Sequence, residues 1–355
     1  MLQNFIHQVR HNCQHSSGAQ AGLFSLCGLL LRLRQLFKWE HELLPWQEPE
    51  SAEVLEWIAV QESAWDALED EAWDHLRWNG GTLNPFAVED INRLLQPEGL
   101  IYGAGFGRGM APTFFLGELT EVRNDGDLTI LVVGDELARD LDGAPAMAQG
   151  NLIYARTQAL VFYLWDRLSD PAQQNNRYLK VALASRKLCL GKLLKNPGAF
   201  EEEFCLLVAG ELEAAINHEI GEAREESLRP VFRHLVGLFP QTRIELWIRG
   251  LKDALADVNE WGRLNYLIQE ENLSSLALFF ALAPGLYPLL LPEIEPAFRR
   301  VAQFRDWPAL EVARRAALAR LRGQAADLTD LLAQEFSVQE LQTRLKERFL
   351  APLGL

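Results

Sequence analysis

The sequence predicts a mainly α-helical protein of two helical domains, the first carrying a small β-hairpin and a glycine-rich loop. Three observations predict it. Apolar residues recur at three- and four-residue spacing over most of the chain, one hairpin signature lies near residues 113–133, and the charge balance changes around Met147. At 355 residues the chain exceeds the length at which one core usually stops growing. An acidic helical domain at 1–147 and an all-helical domain at 148–355 are therefore expected. The first holds 9 Lys and Arg against 23 Asp and Glu, the second 25 against 26.

The elements follow in order. His7, His11 and His15 form a stripe if the N-terminus is helical, which makes them zinc or nickel ligands or simply surface histidines. Ser16-Ser17-Gly18 should end that helix. Leu23, Leu26, Leu30, Leu33 and Phe37 then mark a core-facing helix, which Pro45 and Pro49 close off. From Ala52 to Trp78 the helical period continues through Val54, Trp57, Trp65, Leu68 and Leu76, with Glu53, Glu56, Glu62, Glu69, Asp70 and Glu71 between. Such a charge run is a solvated face or a docking surface for a basic partner. The early tryptophans, Trp39 to Trp78, lack the basic interleaving that stacks nucleic acid and are assigned to packing.

A change of composition begins at Asn79-Gly80-Gly81, and alternate glycines fill Leu100 to Pro112. Thr113–Val122 and Asp127–Val133 are β-prone runs joined by Asn124-Asp125-Gly126, which supplies hairpin turn chemistry. Beyond the loop Asp140–Gly150, helices are expected near Leu152–Leu168, Asn176–Leu194, Gly198–Ser227, Pro230–Leu238, Arg243–Glu260 and Leu273–Leu282. Further ones fall near Glu293–Arg305, Pro308–Arg322, Ala325–Phe336 and Val338–Leu350. Their short joints imply antiparallel packing in a bundle. Arg314, Arg315 and Arg322 are an exposed face or meet the acidic domain.

Composition also excludes. A net charge of −15 disfavours general nucleic-acid binding, which needs many Lys and Arg contacts with phosphate. Cys13, Cys27, Cys189 and Cys205 make no CxxC pair and read as reduced thiols. Ala21–Leu31 and Leu276–Leu291 are too short to span a bilayer, so no membrane segment and a cytoplasmic location are expected.

The strongest chemistry lies in Glu211-Leu-Glu-Ala-Ala-Ile-Asn-His218-Glu219-Ile-Gly-Glu222. At about 100° per residue, Glu211, His218 and Glu222 fall on one helix face. Imidazole with carboxylate suits zinc, iron or manganese better than calcium. His218-Glu219-x-x-Glu222 is similar to the zincin pattern, in which ligands at i and i+4 flank a general-base Glu, but its second His is replaced by Glu222. A di-iron site would want Glu three residues before His218, where Ala215 stands. The alternative is a partly buried histidine bonded to a carboxylate.

The glycine run from Gly103 to Gly109 lacks both the dinucleotide and the P-loop patterns. It leaves Arg108 on a flexible backbone, available to orient a small anionic substrate. No Gly-x-Ser-x-Gly motif supports a nucleophilic triad.

Leu26 to Arg34 with Lys38-Trp39-Glu40, Gly107-Arg108 to Leu119, and His218 to Glu222 together resemble an uncharacterised bacterial protein family of unknown function. That resemblance implies no activity and suggests that the three regions serve one site. The expectation is a metal-dependent enzyme, a hydrolase, with His218, Glu222 and Glu211 as ligands, Glu219 as acid/base and Arg108 as substrate anchor. The competing expectation is a non-enzymatic interaction or scaffold protein using the acidic helix 52–78.

Overall fold

The computed structural model describes residues 2–68, 71–283 and 285–355, and at Arg108 the backbone alone. Two compact units divide at Met1–Asp170 and Pro171–Leu355.

In unit 1, α1 (Leu2–Ala21) runs through Ser16-Ser17-Gly18 rather than ending there. The reason is tertiary. Ser17 Oγ donates back to the Cys13 carbonyl at 2.8 Å, while Ser16 Oγ and Gln20 Nε2 reach the buried Asp140 at 3.0 and 3.1 Å. Helix α2 (Leu26–Glu40) starts at an N-cap, Ser25. Helix α3 (Ser51–Leu68) is shorter than the expected 52–78 helix. Glu69 and Asp70 lie outside the described residues, and Leu76–Trp78 is a strand, β1, that pairs with β2 (Gly81–Leu83). Asn79 (φ 50°) and Gly80 (φ 80°) form the turn between them, the left-handed pair that an Asn-Gly hairpin requires.

After α4 (Val88–Leu95), Gly103 and Gly105 of the glycine run lie in a strand, β3 (Leu100–Phe106), while Gly107 and Gly109 belong to the turn that follows it. A Cβ at Gly103 would lie 2.1 Å from the Phe115 ring, so that glycine permits close packing across the sheet. The expected hairpin is present and longer, as β4 (Pro112–Asp125) and β5 (Leu128–Arg139). β6 (Ala146–Gln149) and β7 (Leu152–Arg156) complete a sheet ordered β3-β4-β5-β7-β6, antiparallel except for β5 with β7. β7 occupies the first five residues of the expected helix Leu152–Leu168, and α5 (Thr157–Ser169) the rest. A strand buried on both faces gives a continuous apolar run that periodicity does not separate from a helix.

The domain boundary therefore falls after Asp170 instead of Met147, since β7 belongs to the sheet of unit 1. Phe5, Ile6 and Val9 of α1 pack with Ile91, Tyr102, Phe114, Phe115, Val133 and Tyr154 in the core of that unit. Beside it the buried Arg156 Nε meets Glu136 Oε1 at 2.5 Å, as buried charges require.

Unit 2 is helical: α6 (Arg177–Ser185), α7 (Leu190–Lys195), α8 (Glu201–Arg224), α9 (Arg229–Leu238), α10 (Arg243–Val258) and α11 (Arg263–Gln269). α12 (Leu273–Leu282), α13 (Tyr287–Leu290), α14 (Ile294–Phe304), α15 (Trp307–Leu332) and α16 (Val338–Leu345) follow. The single expected helix Asn176–Leu194 is broken into α6 and α7, with Lys187 at φ 61° in the joint. Conversely α15 merges two expected helices, because Gly323 meets no constraint that would end one. The arginines of α15 serve their own unit. Arg314 is buried and donates to the Val258 and Asn259 carbonyls at 2.6 and 3.1 Å, satisfying the C-terminus of α10. Arg322 pairs with Glu225 and Glu260. Among the described residues no helix is long and apolar enough to cross a membrane.

Candidate metal centre

Helix α8 opens with Glu201, Glu202 and Glu203, whose charges favour its N-terminus, and buries Leu212, Ile216 and Ile220. It approaches a neighbour closely at Gly221. A Cβ there would lie 2.2 Å from the Ala256 carbonyl oxygen of α10. Gly262 is pressed on the same carbonyl, 1.9 Å from an added Cβ. Asn259 Nδ2 then donates to the Gly221 carbonyl at 2.7 Å. These contacts clamp the C-terminal part of α8 against the end of α10.

The clamp brings His218, one turn before Gly221, against Asp257. His218 Nδ1 donates to Asp257 Oδ1 at 2.7 Å. Asp257 is fully buried and also accepts the Tyr287 hydroxyl on Oδ2 at 2.6 Å, with Arg263 Nε 3.6 Å from Oδ1. Burial alone would raise the Asp257 carboxyl, but Arg263 and His218 together hold it below its usual range. Burial alone would lower the His218 imidazole, yet Asp257 outweighs it and pushes the ring up to about 9. An ionised Asp257 can only accept, so the proton sits on His218 Nδ1.

With Nδ1 engaged, the other ring nitrogen of His218 is the available ligand atom. His218, Glu222 and Asp253 each offer a ligand atom, and these lie within 4.8 Å of one another. All three are half-buried. Glu222 Oε1 is 2.6 Å from Lys252 Nζ, leaving its second oxygen for another bond. Burial raises the Asp253 carboxyl, opposed by His218 and Lys252. Glu219, one residue from His218, is also pushed up by burial, against the pull of His218.

Glu211 is not in the cluster, whose third member is Asp253 of α10. A separation of seven residues puts Glu211 on the face of His218 but about 10 Å away along the axis, too far for one ion. Burial pushes the Glu211 carboxyl up to about 7, against the opposing pull of Ser275 and Arg263. The Arg108 side chain lies outside the described residues, and its backbone belongs to unit 1. Among the described residues the histidines of α1 form no ligand cluster: His11 faces Asp74 at 3.8 Å, and His15 lies edge-on to Trp73.

Sequence reasoning missed Asp253, Asp257, Arg263 and Tyr287. A signal existed, because Asp253 and Asp257 are four apart on a helix whose Leu251, Ala254, Leu255 and Val258 are apolar. A carboxylate on such a face needs a partner.

Two family models match the chain. One, described as the N-terminal domain of a family of unknown function (DUF6866), covers residues 4–156, and the C-terminal domain of the same family covers residues 161–351. No curated protein and no solved structure matches.

Proposed function

We propose, for a chain that belongs to the DUF6866 family of unknown function and so inherits no activity from its relatives, that unit 2 is a divalent-metal-dependent enzyme, a hydrolase, with His218, Glu222 and Asp253 as ligands. The observation that carries this reading is the 2.7 Å bond from His218 Nδ1 to Asp257, beside two further carboxylates within ligand reach. A carboxylate behind a histidine fixes the ring's tautomer and orientation and strengthens it as a ligand. A buried Asp257 that also holds Tyr287 is more than a lone surface histidine needs.

One nitrogen and two carboxylates suit zinc, ferrous iron or manganese, and three protein ligands leave a position for water. A bound ion lowers the pKa of that water toward neutrality and polarises the group to be cleaved. Glu219 is the acid/base: burial raises its proton affinity, so its carboxylate would take a proton from water and, once protonated, give it to a leaving group. Lys252 balances the charge of Glu222.

Purified protein loaded with zinc, manganese or ferrous iron and then dialysed tests the site. Native chain retains one ion per molecule, while His218→Ala and Asp253→Asn do not. Metal-dependent cleavage of ester, phosphoester or amide probes, lost in Glu219→Gln with the ion still bound, tests the reaction.

A second reading, a docking surface for a basic partner, has its own support on α3. Leu55 and Val60 are exposed beside the exposed Glu53, Glu56 and Glu62. Neutralising those three glutamates should abolish co-purification of such a partner, and its retention would count against that surface.

A further inference from the structure

Between Asp170 and Glu201 the chain carries no acidic residue and six basic ones, Arg177, Lys180, Arg186, Lys187, Lys192 and Lys195, in a protein of net charge −15. The same stretch folds around a cleft of about 640 Å³. Leu179, Leu183 and Leu188 are its buried floor, Leu194 of α7 is half-buried in its wall, and Lys180 and Cys189 are its exposed edge. Size and composition are those of a small-molecule site, mostly apolar with few polar groups. It shares no residue with the metal cluster.

Two details point to what it takes. The ammonium of Lys180 has no ion-pair or hydrogen-bond partner among the described residues. Gly191 lines the cleft within α7, yet it has no positive φ, and a Cβ there would meet nothing within 4 Å. Glycine is unfavourable inside a helix, and neither packing nor backbone geometry accounts for this one. It leaves that point of the cleft wall without a side chain.

We infer that this cleft binds a single-chain amphiphile with an anionic head, its chain along Leu179, Leu183 and Leu194 and its head at Lys180. The apolar lining drives burial of the chain. The ammonium of Lys180, at the edge of the cleft in a stretch without acid, selects an acid over an alcohol and makes the selection weaken with salt.

Decanoate and decanol, titrated calorimetrically into the full-length protein, are the probes. Decanoate is expected to bind saturably and to shield Cys189 from iodoacetamide. Lys180→Ala should weaken decanoate about fivefold and leave decanol unchanged. Gly191→Leu, or Ala184→Phe if that variant does not fold, should remove binding of both. No saturable binding, or undiminished binding in a folded cleft-filled variant, would overturn the inference. Capture by anionic vesicles without decanoate binding would also overturn it, since the stretch would then serve a bilayer surface.

Discussion

At the scale of single residues, His218 combines two demands that pull its proton in opposite directions. Asp257 stabilises the imidazolium, holding its pKa near 9, whereas a metal ion requires the neutral ring. The affinity for zinc should therefore rise about tenfold per pH unit until the pH reaches about 9 and then level off, as measured by competition with a chelating dye. Asp257→Asn leaves the three ligands in place but removes the carboxylate behind the ring, so zinc affinity should fall roughly 10- to 100-fold. An unchanged affinity would make Asp257 a packing group only. Glu211 gives a separate pH signature. Its pKa is raised from 4.5 to about 7 in the fold, so its contribution to stability is full below about 4.5 and is lost as the pH rises through about 7. Glu211→Gln should flatten the melting temperature across that window and raise it above pH 7, by roughly 2–4 °C for each kcal/mol relieved. A melting curve with the native pH dependence would contradict this.

At the scale of elements, the site depends on how closely α8 meets α10. Gly221→Ala adds a methyl group into the Ala256 carbonyl, an overpacking that costs about 1–3 kcal/mol. Lower thermal stability and weaker ion retention are expected together, since the same displacement carries His218 away from Asp257. Stability equal to native would show that the two helices do not need this contact. Such contacts also mark what a sequence does and does not disclose. Helix α8 was legible because its period is regular, and the β4–β5 hairpin because Asp125-Gly126 sits between β-prone runs. The Asn79-Gly80 turn carries the same chemistry, but the helical period running into Leu76 masked it. Which face of α10 would meet α8 was not legible, because Gly221 and Gly262 disclose a close approach only once the opposing Ala256 carbonyl is known. The juxtaposition of His218 and Glu222 on one helix is local and was readable, whereas Asp253 and Asp257 come from another helix. Glu211 falls outside that group because angular agreement on a helix says nothing of distance along it.

At the scale of the whole molecule, the division after Asp170 assigns each task to one unit. All of the cluster, from His218 to Tyr287, lies within 171–355. A 1–170 fragment should show one cooperative melt by circular dichroism. A 1–147 fragment should not, having lost β7, the strand between β5 and β6. Equal melts would contradict that boundary. The excess negative charge of the first part of the chain plays no role in the metal reading. Arg314 and Arg322, which the sequence allowed to meet that acid, instead fix α10 and its flanking acids. The most direct test of the account is the metal content of the full-length protein after loading with zinc and exhaustive dialysis. One ion per chain in the native protein, none in Asp253→Asn and His218→Ala, and native content in Glu211→Gln are the predicted results. An ion retained by both ligand variants, or lost only in Glu211→Gln, would contradict it.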